Sequence, residues 1–438
     1  MADMSTLLLQ ALGPWRNAKA WHVALSGGLD STVLLHLLVQ LRKTHSLPPI
    51  TAVHVHHGLQ AAADAWPAHC QALCKGLGVP LQVIAVQVQA GASVERAARD
   101  ARYQAFAAIS GAGEVLLLGQ HRDDQAETLL FRLLRGAGVS GLAGMPRQRR
   151  LGAGNLCRPL LDVSRAQLES YARTQGLSWI EDPSNTQTDF SRNFLRHEVL
   201  PVLARRWPQA AASMARSAAH CAEAQGLLDE LAQQDLHAAG STSEFAWLGL
   251  PSLELTAIAS LSPARQRNAL RHWLSAFTSL PDTDHWAGWD ALRDARIDAQ
   301  PVWKLADGEL HRAGGRIWWL AGEWLHQPIA PVLWPCPDQA LALPGNGRVH
   351  FVGDIPDGPL QVSYRLGGEV MAQAQRGHRD LKRLLNERGV PLFARGRLPL
   401  LYRNEQLLAV ANLPGLDSSP CGHWKLQWLP TSSDQGLS

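Results

Sequence analysis

The 438-residue chain reads as an α/β protein, with a Rossmann-like parallel-sheet domain first, a helical domain second and a small α+β domain last. Three observations predict this. Over the first 135 residues short apolar runs alternate with longer helical patterns, the sequence form of stacked β-α-β units. A glycine turn, Ser26-Gly27-Gly28-Leu29-Asp30-Ser31, falls between the first apolar run and the first long helical pattern. After Pro201 and Pro208 the chain becomes continuous Ala, Leu and Gln through about Leu236, which suits a long helix opening a separate domain.

Taken in order, residues 21–25 form the opening strand and 31–42, rich in Leu and Val, the first long helix. Strand 51–55, helix 61–77 and strand 81–86 follow, then an Ala- and Arg-rich helix at 93–109 with apolar residues at helical spacing. Residues 114–119 have the uninterrupted apolar character of a buried strand, and 123–135 form a helix that starts with acids. Glycine-dense 136–144 reads as an ordered loop or helix end, and 147–155 as an exposed basic stretch. The helical domain is expected to run to about residue 325, and Pro328, Pro331, Pro335 and Pro337 mark a linker. The expected domains are 1–208, 209–328 and 329–438.

Composition narrows the class. No apolar run approaches the roughly 18 residues that a membrane helix needs. The first 25 residues lack the basic start, apolar run and small-residue cleavage site of a secretory signal. Six cysteines scattered over the chain are too sparse for a disulfide-stapled domain, so a reducing, cytoplasmic location is expected. A net charge of +3 does not by itself argue for nucleic acid. Its distribution says more, because residues 365–403 carry nine Lys or Arg against three acids, enough to meet phosphates.

In the glycine turn, positive φ brings backbone N–H groups close to a phosphate, the helix N-terminus adds its dipole, and Ser26 and Ser31 add hydroxyl donors. Asp30 is available for Mg²⁺. No GxxxxGK[ST] occurs, which disfavours a Walker-type NTPase. His54, His56 and His57 suggest a metal site, but only alternate residues of a strand share a face and zinc needs converging ligands. Asp123, Asp124 and Glu127 can share one side of a helix, as cation ligands or merely as partners of the helix dipole. Arg99 and Arg102 are neighbours at i, i+3, whether as a solvated face or as a substrate contact. The sixteen tryptophans read mainly as packing residues.

The turn resembles the SGGxDS loop of the PP-loop, or N-type ATP pyrophosphatase, superfamily. Further segments narrow the resemblance to the tRNA(Ile)-lysidine synthetase family: His54-Val55-His56-His57-Gly58-Leu59, Gly119-Gln120-His121-Arg122-Asp123-Asp124-Gln125-Ala126-Glu127-Thr128, Arg132-Leu133-Leu134-Arg135-Gly136, Arg158-Pro159-Leu160-Leu161, Glu181-Asp182-Pro183-Ser184-Asn185, and Arg192-Asn193 with Arg196. Gly367-Gly368-Glu369 and Gly377-His378-Arg379-Asp380-Leu381-Lys382 extend it toward the C-terminus. Near position 393 or 394 this chain lacks a tryptophan of the family pattern.

The resemblance implies transfer of AMP from ATP to the C2 oxygen of a cytidine in the CAU anticodon of tRNA(Ile), then replacement of that oxygen by L-lysine. It implies ATP binding by Ser26, Gly27, Gly28, Leu29, Asp30 and Ser31, with His56, His57, Gly58, Gly119 and His121 completing the nucleotide site and Asp30 holding Mg²⁺. Asp30, Arg99, Asp124 and Glu127 take catalytic roles, and Asp123, Asp124 and Glu127 receive the lysine. Arg132, Arg135, Arg158, Arg192 and Arg196 are expected on tRNA or leaving phosphates, with Arg379, Lys382 and Arg383 as C-terminal RNA contacts. A homodimer is compatible with the sequence. The nearest rivals are PP-loop thiolases, which carry Cys-x-x-Cys pairs that this chain lacks, small-molecule PP-loop ligases, and a catalytically silent tRNA-binding protein.

Overall fold

The computed structural model describes residues 4–56, 58, 64–88, 94–186, 189, 191–240, 243–279, 286–296, 299–328, 330–373, 377–416 and 423–431. The chain divides into two compact units, Met1–Gly226 and Leu227–Ser438. His57 lies outside the described residues.

In the first unit an unexpected helix, α1 (Met4–Ala11), precedes the expected alternation, which is present element by element: β1 (Trp21–Ala24), α2 (Leu29–Arg42), β2 (Ile50–His56), α3 (Trp66–Leu77), β3 (Leu81–Ala85), α4 (Val94–Ile109), β4 (Val115–Leu117) and α5 (Arg122–Leu133). Then come α6 (Val139–Leu142), β5 (Gln148–Leu151), β6 (Gly154–Cys157), α7 (Arg165–Thr174), α8 (Ser191–Phe194), a π-helical turn (Leu195–Val199), α9 (Leu200–Arg206) and the long α10 (Ala210–Ala239), within which the division between the units falls. The six strands form one sheet in the order β3-β2-β1-β4-β6-β5, parallel except for β5.

Both faces of this sheet are covered, which explains why β4 is apolar at every position. Val115 and Leu117 join Trp21, Val23 and Leu34 in one core, and Leu116 joins Val53, Phe106 and Leu156 in the other. Strand order runs β2-β1-β4, so the chain crosses from one side of β1 to the other, and the C-terminal ends of β1 and β4 border the crevice where such sheets take ligands.

The stretch 147–155 departs from the exposed loop expected of it. It supplies β5 and the start of β6, with Arg149 and Arg150 exposed while Leu151 and Leu156 are buried. Four-residue strands interrupted by Gly152 are too short to show a period.

The second unit holds α11 (Leu255–Ala259), α12 (Pro263–Leu274) and α13 (Ala287–Asp294) between β7 (Ser252–Glu254) and the strands β8 (Val302–Lys304), β9 (Glu309–Ala313) and β10 (Arg316–Leu320). These strands form an antiparallel sheet, β7-β10-β9-β8, inside the region expected to be helical. Its β10 explains the tryptophan doublet. Ile317 and Trp319 face the core beneath α12 and α13, whereas Trp318 and Leu320 face the core of the C-terminal strands. Alternate residues of a strand point to opposite faces, so adjacent tryptophans serve two cores.

The remaining elements are β11 (Val332–Trp334), β12 (Leu341–Ala342), β13 (Arg348–Gly353), β14 (Leu360–Ser363), β15 (Val370–Gln373), β16 (Gly377–Asp380), α14 (Leu381–Glu387), α15 (Leu392–Arg395), β17 (Leu400–Arg403), β18 (Gln406–Val410) and β19 (Trp424–Leu429). The proline cluster expected to be a linker contains β11, an edge strand paired with β14 whose Trp334 is buried against Phe351. An edge strand tolerates the flanking prolines because one side makes no ladder bonds. Where the family pattern places a tryptophan, Phe393 packs its ring against Trp318 and His311.

The basic segment is also less available than its charge suggests. Arg397 is 1% exposed and spends its guanidinium on the carbonyls of Glu323, His326 and Gly345, and Arg395 is buried on Val390 and Asn386. Lys382 and Arg383 on α14 are exposed, Arg383 alongside Glu387, and Arg379 on β16 is half-buried.

Candidate active site

The glycine turn occupies the step from β1 into α2, and its conformation is set by its own side chains. Ser31 Oγ accepts from the Ser26 amide at 3.2 Å and donates to the Gly28 carbonyl at 3.1 Å, while Ser26 Oγ accepts from the Gly28 amide at 3.3 Å. Gly27 has φ +86°, and a Cβ there would lie 2.8 Å from Ile180 Cδ1. The Ile180 amide donates to the Gly27 carbonyl at 2.9 Å, so the segment before Asp182 clamps the turn from outside. The free amides at the start of α2 are left for an anion.

Gly119, at the end of β4, lets the second loop approach. A Cβ at this position would sit 3.0 Å from the Asp30 carbonyl and the Ser31 amide. Gly119→Ala is therefore expected to push the turn outward by a few tenths of an ångström. The expected cost is about tenfold in kcat/KM for ATP, with about 1 kcal/mol of stability. Steady-state kinetics beside a thermal melt checks this, and unchanged kinetics would remove the close approach from the argument.

His121 follows as the N-cap of α5, a place where Ser, Thr, Asp or Asn is usual. Its Nδ1 accepts from the amides of Asp123 and Asp124 at 3.2 and 3.4 Å, and Asp124 Oδ2 accepts from the His121 amide at 3.0 Å, which closes a capping box. With Nδ1 accepting, the ring proton belongs on Nε2, which faces Asp30 Oδ1 at 3.6 Å and Asp124 Oδ2 at 3.5 Å. His121 is 1% exposed and faces the two carboxylates.

Arg196, on the π-helical turn, closes the acidic end. Its Nε and Nη2 donate to the two oxygens of Glu127 at 2.6 and 2.9 Å, and Nη2 also reaches Asp124 Oδ1 at 3.0 Å. Burial raises the Glu127 carboxyl above its ordinary value, with Arg196 opposing. Both Glu127 oxygens are thus engaged, and Asp124 is the acid of this pair that lines the cavity. Asp123 turns toward α7, accepting from the Arg165 amide at 2.9 Å.

Between these walls lies a cavity of about 300 Å³ bordered by Ser26, Asp30, Gly119, Asp124, Arg99 and Tyr103. His54 lines it, rather than His56 or Gly58. The His54 ring is buried and bonded to the Leu25 carbonyl at 2.8 Å, whereas His56 points to Asp64 at 3.5 Å. Asp182 and Arg102 also border the cavity. The sequence signals for them are the Glu181-Asp182-Pro183 segment and the i, i+3 spacing of Arg99 and Arg102. Arg165, 3.9 Å from Asp30, carried no such signal.

Two arginines expected on phosphates turn inward. Arg158 is 2% exposed, with donors on Gln120, the Pro146 carbonyl and the Tyr103 hydroxyl. Arg132 holds the glycine-dense loop through the carbonyls of Gly141 and Gly144, both at 2.8 Å. Arg135 is exposed over the Phe131 ring, and Arg192 is half-buried close to Arg132.

The residues present fit ATP with a divalent cation. Asp30 Oδ1 is buried without a hydrogen-bond partner, and burial raises its carboxyl, the condition of an oxygen awaiting a cation. No group of three or more His, Cys, Asp or Glu converges among the described residues. Mg²⁺ in ATP sites needs only one or two carboxylates beside phosphate oxygens, which Asp30 and Asp124 can supply. The thiols offer little chemistry. Burial pushes Cys70 up to about 12 and Cys74 up to about 11, so neither is a thiolate at neutral pH.

Comparison with known proteins decides the family. A PP-loop domain model matches residues 2–203, a TilS substrate binding domain model residues 253–318 and a TilS substrate C-terminal domain model residues 360–428. The chain is 68% identical to the tRNA(Ile)-lysidine synthase of Pseudomonas fluorescens (strain Pf0-1), over 99% of this chain and 98% of that protein. The chain belongs to the tRNA(Ile)-lysidine synthase family. A second member, from Pseudomonas syringae pv. tomato, is 63% identical over 100% of this chain and 98% of its own. The family member of Escherichia coli O157:H7 is 41% identical over 89% of this chain and 91% of its own.

Proposed function

We propose that this chain is a tRNA(Ile)-lysidine synthase, ligating L-lysine to C2 of the wobble cytidine of the CAU anticodon at the expense of ATP. The observation that carries the reading is one cavity bordered both by a phosphate turn and by the carboxylates of Asp30 and Asp124, as two consecutive substitutions require.

In the first, the cytidine C2 oxygen attacks the α-phosphorus of ATP and pyrophosphate leaves. The amides at the start of α2 and the Ser26 hydroxyl hold the departing phosphates, in a turn whose shape Ser31 fixes by accepting from the Ser26 amide and donating to the Gly28 carbonyl. Asp30, with Asp124, would hold Mg²⁺, which when bound neutralises charge growing on the phosphate oxygens. In the second, the lysine amine attacks C2 and AMP leaves.

A lysine ε-ammonium has an ordinary pKa of about 10.4 and cannot attack until it gives up a proton. Asp124 orients the amine at the cavity wall and accepts that proton, while Glu127 positions Arg196 against it. The exposed Lys382 and Arg383, with Arg379 beside them, contact RNA phosphates and so set register. Such a reaction belongs in the cytoplasm, where tRNA, ATP and lysine meet. No helix among the described residues is long and apolar enough to cross a membrane.

Incubation of unmodified CAU-anticodon tRNA(Ile) with the protein, ATP, Mg²⁺ and labelled lysine, followed by nucleoside mass analysis, tests the reading. Lysidine should appear with the wild type and vanish with Asp30→Ala. Folded, RNA-binding wild-type protein that incorporates no lysine would overturn it.

A further inference from the structure

The cavity that holds the phosphate turn is also bordered by a cationic cluster for which the two substitutions above leave no ligand. Tyr103 stands at its centre, edge-on against the buried Phe106 with ring centroids 6.3 Å apart. The guanidinium carbons of Arg99 and Arg149 each lie 5.1 Å from the centroid of the Tyr103 ring, and Arg158 Nη2 donates to its hydroxyl at 3.4 Å. Three segments meet here: Arg99 comes from α4, one turn before Tyr103, Arg149 from β5, and Arg158 from the end of β6. Arg102 adds a further charge on the cavity wall.

The charge is not balanced locally. Among the described residues, no carboxylate lies within 4 Å of Arg99, Arg102 or Arg149, while the neighbouring Arg96 and Arg147 pair with Asp100 and Asp162. Burial, together with Arg149 and Arg99, holds Arg158 below its ordinary value. Against the effect of burial, Arg158, Arg99 and Arg102 pull the Tyr103 hydroxyl below its own. Arginines gathered this closely, with a flat ring fixing their planes, form a receptor for an anion with several oxygens.

We propose that Tyr103 gathers Arg99 and Arg149 into an anion subsite that takes a backbone phosphodiester of the RNA next to the reacting cytidine. This rests on the RNA substrate of the proposed function. ATP phosphates already have a separate set of donors in the turn and the α2 N-terminus. Arg149 is exposed and outside the cavity lining, so it reaches a ligand that continues out of the cavity, as a polynucleotide does. Tyr103 is a positioning residue in this arrangement, since it acts through the arginines.

The test is tRNA binding between 50 and 300 mM salt, without ATP or lysine, for wild type, Arg149→Gln, Tyr103→Phe and Tyr103→Leu, with KM for tRNA and for ATP measured separately. Loss of one phosphate contact lowers the slope of log K against log salt by about 0.7–0.9. Arg149→Gln should show that loss, with KM for tRNA raised about fivefold and the KM for ATP little changed. Tyr103→Leu should match it, and Tyr103→Phe, which keeps the ring, should stay close to wild type. An unchanged slope in Arg149→Gln, or a rise confined to the KM for ATP, overturns the subsite, and a wild-type slope in Tyr103→Leu overturns the role of the ring. If Tyr103→Leu fails to fold, the exposed Arg149 still decides. Wild-type protein that shows the arginine-dependent slope yet makes no lysidine would leave the subsite standing and remove the reaction assigned to it.

Discussion

Asp30→Asn is expected to lower lysidine formation on the order of 10³-fold while raising the melting temperature of the metal-free protein at pH 7. Both effects have one cause. Asp30 Oδ1 is buried without a hydrogen-bond partner, and burial, with Asp124 adding a like charge, outweighs the opposing pull of His121 Nε2 at 3.6 Å, so its negative charge is poorly solvated until a cation arrives. Burial raises the folded-state pKa above the ordinary 3.8, so the native state holds this proton more tightly than the unfolded chain does. Stability from this group is therefore complete below pH 3.8 and is lost as pH rises through the folded value. Asparagine has no such loss, and a gain of about 2 °C at pH 7 that shrinks toward pH 4 is expected. Melts in a chelator at both pH values, beside the lysidine assay, decide the matter. Equal gains at both pH values would remove the buried charge as the cause, and retained activity would remove Asp30 from the chemistry.

Removal of Arg196 should act in the opposite sense on stability. Glu127 is 4% exposed and both its oxygens depend on this guanidinium, with Asp124 sharing it. Arg196→Ala strands a buried carboxylate, at a cost of about 3 kcal/mol, and loosens the Asp124 side chain that we propose receives lysine. A drop of about 100-fold in kcat/KM for lysine should accompany the lost stability. The double variant Arg196→Met with Glu127→Leu separates the two effects, because it replaces the pair by apolar groups and leaves no charge stranded. It should recover most of the stability and none of the activity. Recovery of both would mean that the pair only supports the fold.

The parts of this protein legible in its sequence are those in which the cause lies within a few residues of the effect. The β-α-β alternation shows in apolar period and run length, and Gly27 and Gly28 announce a turn that a Cβ would obstruct or strain. Asp123 and Asp124 mark a helix start because acids are favoured there. Even the β4 run at 115–117 predicts its own burial on both faces.

Tertiary structure decided what each charge is for. Arg192 and Arg196 stand four residues apart in one motif, yet only Arg196 meets Glu127, a residue 69 positions earlier, because the π-helical turn carries it there. Arg158 and Arg397 look like RNA-contacting cations and instead hold carbonyls inside the fold. His121 caps α5 and faces Asp30 and Asp124, and Tyr103 meets Arg149 only because β5 folds back antiparallel to β6. Backbone propensity acts on adjacent residues and can be read along the chain. Burial and charge pairing depend on which distant segments meet, and an arginine has the same identity in the sequence whether it ends in water, on a carbonyl or on a carboxylate.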